Sequence, residues 1–548
     1  MKKGKMLKFS GVLLVGSFLL AACGGAKEEV ERAEEAPAKA IQLMSESELT
    51  TLDTASMLDF PDAITQVAAF EGLYTLDEND QVIPAAAKEL PEISEDGTVY
   101  TIKLREDGKW SNGDPVTAHD FEYAWKKVAN PSNAFVYSFL IQETIENGVA
   151  VANGEKELDE LGVKAMDDYT LEVRLLGPKP FFTSLMTFPT FLPQNQKAVE
   201  EFGDTYGTAA DKVVYNGPFV VENWTQADMN WDLVKNEDYW DKENVKSDAI
   251  HYEVIKEGST ALNLYEDGQL DVAYLSGTLA KMNTEHEDYQ AYPTATLNYI
   301  RLNQERNGKQ TPLANENLRK AFALGIDKEN IINNVISDGS VPLNGFITKG
   351  FVKNPETGAD FREDAGDLMA FDEEKAQEYW QQAKQELGDT VELELMVNDS
   401  DSYKKLAESI QGELEKRFDG LKINFRSLPT ETALNLARES DYDMFLIYWT
   451  PDYQDPISTL NMLHSKNAMN YENPTYDKML DDASTTLALD PTKRWEKLIA
   501  AEKEAIETTA ATIVISQNQQ SVLQNPAITG LNFHTFGAPL TLKNIEYK

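Results

Sequence analysis

The chain has 548 residues, 42% of them hydrophobic, with 23 Phe, 22 Tyr and 8 Trp, enough apolar mass for large packed cores and too much for a disordered protein. Its net charge is −42, which repels phosphate backbones and speaks against nucleic acid as a partner. One cysteine in the whole chain excludes an internal disulfide, a CxxC redox site and a thiolate metal site.

That cysteine, Cys23, follows Lys2, Lys3, Lys5 and Lys8 and an apolar run from Phe9 to Ala22. A basic start, a short apolar stretch and small residues ahead of a cut site read as an export signal over residues 1–22. The apolar run falls short of the about 20 residues that span a bilayer. Leu20-Ala21-Ala22-Cys23 resembles a bacterial lipobox, in which the cysteine sulfur is acylated and becomes the first mature residue. The alternative is a plain secretory signal with an incidental cysteine. Residues 23–40 are charged, small and free of aromatic anchors, so a disordered tether is expected there. The folded part is expected to begin near Ile41.

Farther on, Val99–Leu104 alternates, with Tyr100, Ile102 and Leu104 on one face, and a hairpin tip is expected at Asp107-Gly108 or Asn112-Gly113. Thr117 and Asp120 stand three apart as a helix start; Phe121, Ala124, Trp125 and Val128 then share a face, and Pro131 ends the helix. Trp110 and Trp125 are assigned to the core. Residues 391–450 read as strand, helix, strand, helix, strand: Val391–Val397 alternates, residues 402–416 place Leu406, Ile410 and Leu414 at helical spacing, Leu421–Leu428 alternates, Thr430–Arg438 is helical, and Asp443–Trp449 is an apolar run. This pattern predicts βαβ units and a parallel sheet. Ligands of open α/β sheets gather beyond the carboxyl ends of strands, where Trp449-Thr450-Pro451-Asp452-Tyr453 lies.

Sharp catalytic signatures are missing: no GxxxxGK[ST], no GxSxG, no HExxH, and the five histidines, His119, His251, His286, His464 and His534, are scattered. Binding is favoured over catalysis; no cofactor and no metal are expected. An extracellular hydrolase using paired carboxylates is the alternative of another class, though 92 acidic residues make such pairs uninformative.

Six stretches, in order, carry a family resemblance: Trp110–Pro131, LGVKAMDDYTLEVRL (161–175), YNGPFVVENW (215–224), YEDGQLDV (265–272), NENLRKAFALGIDKENI (315–331) and YWTPDYQDPISTLNML (448–463). Together they resemble the extracytoplasmic oligopeptide- and dipeptide-binding proteins of ABC importers, solute-binding protein family 5. The resemblance implies a two-lobed, hinged α/β periplasmic-binding-protein-like fold. Lobe I would comprise 41–56, 177–256 and 520–548, an accessory domain 57–176, and lobe II 257–519. It implies a monomeric, membrane-anchored receptor for oligopeptides that works with permease and ATPase subunits. A receptor for a peptide signal or pheromone, feeding the same importer, is the second reading.

For the site, the resemblance implies Asp452 as the carboxylate that grips the peptide's α-ammonium, with Trp449, Thr450 and Tyr453 beside it. Asn216 and Gly217 would supply polar and backbone contacts, and the Glu48-Leu49 segment would pair with the ligand backbone. Asp452 could instead cap the next helix, Asn216-Gly217 could be simply a turn, and Asp455 a cap before Pro456. Where some relatives place an arginine and a histidine for the peptide's carboxyl end, this chain has Leu446 and Tyr403, so longer peptides, or ones whose carboxyl end reaches solvent, are expected.

Overall fold

A computed structural model describes residues 40–467 and 471–548; the signal and lipid-attachment readings on residues 1–39 lie outside it. The first ordered strand, β1 (Ile41–Ser45), finds its partner far along the chain. It pairs in parallel with Ala249–Val254, Ile41 facing Ile250, and Asn230–Lys235 and Phe219–Glu222 extend that sheet antiparallel. The hydrophobic core behind it draws on residues from Ile41 to Val272 and again on Val522, Ile528, Leu540, Leu542 and Ile545. The chain therefore leaves this core and returns to it at the end.

Beside that sheet stands a smaller antiparallel one, ordered Glu92–Ile93, Val99–Lys103, Thr170–Arg174, Val163–Asp167. Tyr100, Ile102 and Leu104 are buried, as the alternation requires. Of the two candidate tips, Asn112-Gly113 makes the tight turn: Gly113 has φ +89° and its N–H donates to Trp110 O at 2.8 Å. Helix α1 (Ala118–Ala129) opens where Thr117 N–H donates to Asp120 Oδ2 at 2.7 Å. Its Trp125 is fully buried and donates from Nε1 to Phe191 O at 2.9 Å, which satisfies the indole inside the core.

The second core surrounds a seven-stranded mixed sheet. In chain order its labelled strands are β2 (Tyr289–Leu302), β3 (Val391–Asn398), β4 (Leu421–Leu428), β5 (Met444–Trp449) and β6 (Thr512–Gln524). Spatially the order is Val272–Leu275, β6, β2, β5, β3, β4, with Val341–Pro342 also on β6. β3 pairs in parallel with both β4 and β5. Helices Asp401–Arg417 and Thr430–Arg438 cross between them, so the βαβ reading of 391–450 is realised. The long strands β2 and β6 serve both cores: Ile513–Ile515 pack in the second, Val522 in the first. Their shared ladder shifts register between Pro293 and Leu297.

A buried ion pair ties the second core together. Glu502, on helix α2 (Pro491–Lys503), is fully buried and meets Arg362 through two bonds of 2.6 Å. The same carboxylate accepts the N–H groups of Phe346 and Ile347 at 2.7 and 2.9 Å. Removing the acid strands a buried guanidinium, so Glu502→Ala should cost about 3–5 kcal/mol in urea unfolding. Adding Arg362→Met should recover part of that loss; equal stability of Glu502→Ala and the parent would refute the assignment.

Candidate functional site

Strand β5 outlasts one of its neighbours. It is paired with β2 as far as Trp449, opposite Leu297, but with β3 only as far as Leu446, opposite Val397. Ile447, Tyr448 and Trp449 thus have an open edge where β3 has turned away toward the helix capped by Ser400. That edge lines a cavity of about 590 Å³. Unpaired main-chain donors and acceptors along such an edge are a template for an added strand.

Just past the strand end, Asp452 lines the same cavity. Its backbone N–H donates to Ser458 Oγ at 3.2 Å, but among the described residues no hydrogen bond or ion pair reaches its carboxylate. Withdrawal from water pushes that carboxyl up to about 6. Its loop is held from the other end. Asp455 caps the helix Pro456–Leu460, accepting Ile457 N–H at 2.9 Å. Arg494 of α2 clamps the Asp455 carboxylate with two bonds of 2.8 Å, both residues buried. The cap is Asp455; Asp452 is left facing the cavity.

Trp449 is half-buried on the cavity wall, and its Nε1 is buried with no partner among the described residues. Tyr453 stacks on Phe181, ring centroids 4.0 Å apart and planes 14° from parallel. Both rings pack against both cores, and both line the cavity. Thr450 points elsewhere: it borders a second cavity of about 200 Å³, and its Oγ1 is bonded to Thr296 Oγ1 at 2.8 Å.

The other predicted residues serve different ends. Both arms of the buried Asn216 amide hold Glu71, its Oδ1 accepting Glu71 N–H and its Nδ2 donating to Glu71 O, each at 3.0 Å. Gly217 lies so close to Ala69 that a Cβ there would sit 2.6 Å from the Ala69 carbonyl carbon. Neither borders the two large cavities; the Tyr-Asn-Gly turn is a packing joint. Glu48 pairs with Lys256 at 2.6 Å and Leu49 is buried in the first core, while their neighbours Ser45, Glu46 and Ser47 line the second cavity.

Leu446 lines the large cavity, and Tyr403 donates its hydroxyl to Asn298 Oδ1. Positive charge does border the same cavity, in Lys179 and Arg301. Desolvation lowers the Lys179 ammonium, with Glu143 opposing. Arg301 was discoverable as the one charge in the run TLNYIRL; nothing local marks Lys179, set between Pro178 and Pro180.

Among the described residues no group of His, Cys, Asp and Glu could hold a metal ion, and no helix is long and apolar enough to cross a membrane.

Comparison with known proteins agrees with this architecture. Residues 81–471 match the sequence model of the bacterial extracellular solute-binding proteins, family 5. A dipeptide-binding protein of Lactococcus lactis is 32% identical over 563 aligned residues, covering 100% of both chains. Among solved structures, Listeria monocytogenes OppA bound to peptide is 37% identical with TM-score 0.76, covering 94% of this chain and 100% of that one. The substrate-binding domain of an oligopeptide ABC transporter from Bacillus anthracis is 39% identical with TM-score 0.77, covering 94% and 99%. The α/β periplasmic-binding-protein-like fold expected from the sequence is shared with these structures.

The raised carboxyl of Asp452 has a consequence for stability. A folded-state value near 6 above an unfolded value of about 3.9 means the folded protein bears the cost of the charged form above pH 6, and is relieved of it below pH 4. Asp452→Asn should therefore raise stability at pH 7 by about 1–3 kcal/mol, a gain that fades as pH falls from 6 to 4. Thermal melts of both proteins across that range check the sign; a gain that grows toward low pH would contradict it.

Proposed function

The chain belongs to the bacterial extracellular solute-binding proteins of family 5, a non-catalytic transport family, and we propose that its solute is an oligopeptide held between the two cores. The hydrolase reading falls with the family. The observation that carries the proposal is the pairing of an open strand edge with a desolvated carboxylate that has no counter-ion among the described residues.

The chemistry follows. A peptide laid along Ile447–Trp449 adds a strand, exchanging main-chain hydrogen bonds that every residue type can make. Its α-ammonium meets Asp452, which becomes a charge-assisted pair in a site shielded from water. Lys179 and Arg301 offset the carboxyl end of a peptide short enough to lie inside the cavity, in place of the longer guests first expected. Trp449 and Tyr453 supply the apolar walls. The names of the similar proteins, a dipeptide-binding protein and an OppA bound to peptide, support the same solute class.

The rest of the reading extends from this. The two cores act as lobes I and II with the accessory domain beside them, β2 and β6 flex as the connection, and the Phe181–Tyr453 stack closes the mouth. The loaded protein delivers peptide to two permease and two ATPase subunits of an ABC importer. Cys23 carries the lipid that tethers a monomer to the outer face of the cell membrane; two or three acyl chains anchor firmly where one does not.

Three outcomes are expected. Asp452→Ala should weaken binding of free-amine peptides by about 10- to 150-fold in calorimetry and leave N-acetylated peptides unaffected. With Asp452 intact, affinity should fall below about pH 6, where the proton competes for the carboxylate, and again above about pH 8, where the free α-amine loses its charge. Equal binding of free and acetylated peptides by both proteins would remove the anchor. Cys23→Ser should move the protein from the membrane fraction to the medium; retention on the membrane would reject the lipid.

A further inference from the structure

The small antiparallel sheet meets a loop of the second half of the chain through one of its turns. The hairpin between Glu92–Ile93 and Val99–Lys103 turns at Ser94–Gly97. The turn is braced from inside: Ser94 Oγ accepts Val99 N–H at 2.9 Å, and Asp96 Oδ1 accepts Thr98 N–H at 3.1 Å. Gly97 has φ +69°, a left-handed conformation that favours glycine, and it is buried although it lies at a hairpin tip. What covers it is Leu489, in the loop just ahead of α2.

A Cβ placed on Gly97 would stand 2.6 Å from Leu489 Cδ2 and 3.2 Å from Pro178 Cβ. The missing side chain therefore makes a notch, walled by Pro178, that takes the tip of the leucine. Leu489 is itself 56% exposed, so it is seated by its tip and the rest of the side chain faces solvent. An exposed leucine alone is ordinary. One with a fitted seat on a different sheet is a contact that can be made and released.

Both sides of this contact lead to the large cavity. On one side, Pro178 precedes Lys179 and Phe181, which line the cavity, and Tyr100 of the small sheet donates its hydroxyl to Lys179 O at 3.2 Å. On the other, Asp490 follows Leu489 and caps α2, accepting Lys493 N–H at 3.1 Å. The same helix carries Arg494, whose grip on Asp455 fixes the loop of Asp452 and Tyr453. The Gly97–Leu489 contact and the Phe181–Tyr453 stack thus join the same two parts of the molecule at separate places. Once one has formed, the other needs little further alignment, so the two reinforce each other. Neither Gly97 nor Leu489 borders the cavity, so a guest there does not touch them.

Resting on the peptide reading and the hinge motion above, we propose that Leu489 in the Gly97–Pro178 notch is a second closure contact, a positioning residue that holds the loaded receptor shut without touching the guest.

Leu489→Ser is the test, because an exposed loop position tolerates it and both cores are untouched. In calorimetry with a pentapeptide, Kd should rise about fivefold, by the same factor for the free-amine and the N-acetylated form, with the change in the dissociation rate. Thermal melts without peptide should match the parent. Gly97→Ala fills the notch; it should weaken binding by itself but add nothing to Leu489→Ser, whose shorter side chain no longer enters. Unchanged affinity in Leu489→Ser, losses that add in the double variant, a loss confined to free-amine peptides, or a melt lowered as much without peptide as with it would overturn the latch alone. No binding of any peptide to the parent protein would overturn the peptide reading and the latch with it.

Discussion

A buried main chain must pair its N–H and C=O groups, and strand β5 leaves one edge of its last three residues unpaired by β3. β3 accompanies it only to Leu446, whereas β2 holds it to Trp449. The Arg494–Asp455 clamp fixes the loop beyond the strand; the cap on Pro456–Leu460 directs Asp455 inward and leaves Asp452 turned to the cavity. A carboxylate so placed is costly to keep charged, which is why its proton affinity rises, and a cation brought beside it would relieve that cost.

One aromatic contact, Phe181 on Tyr453, packs against both cores. An aromatic pair contributes about 0.5–1.5 kcal/mol beyond the area it buries. If the two cores move as lobes, as proposed, the Phe181–Tyr453 stack would bias a closed arrangement without locking it. The strong, buried ion pairs, Arg362–Glu502 and Arg494–Asp455, both join segments of the second core and do not cross the cavity. Rigidity is concentrated inside the core, and the contact over the cavity is left soft.

Some of this was legible in the sequence and some was not, for physical reasons. The βαβ series at 391–450 could be read because its strands alternate and its helix faces repeat at helical spacing, signals that depend on neighbours close in the chain. Trp125 could be assigned to the core from its helical stripe. The return of the chain to the first core, through Val522 to Ile545, carries no local mark and came from the family resemblance. Asn216-Gly217 shows where local reading misleads: a turn signal is right about the turn, but the partner of the amide is Glu71, 145 positions away. Lys179 was invisible for the same reason, since only the folded chain brings it to the wall opposite β5. Ser45–Ser47, rather than Glu48 itself, border a cavity because β1 ends there and Glu48 is drawn away by Lys256.

Affinity in the proposed site would come from features common to all peptides. A guest laid along β5 with its amine at Asp452 would be held by its amide groups and its charge, so this part of the site would contribute affinity with no preference among sequences. A hydrogen bond to a charged group contributes about 1.5–3 kcal/mol, against about 0.5–1.5 kcal/mol for a neutral one. The amine would therefore count for more than any one polar contact to a guest side chain, and a receptor held together this way would tolerate many sequences.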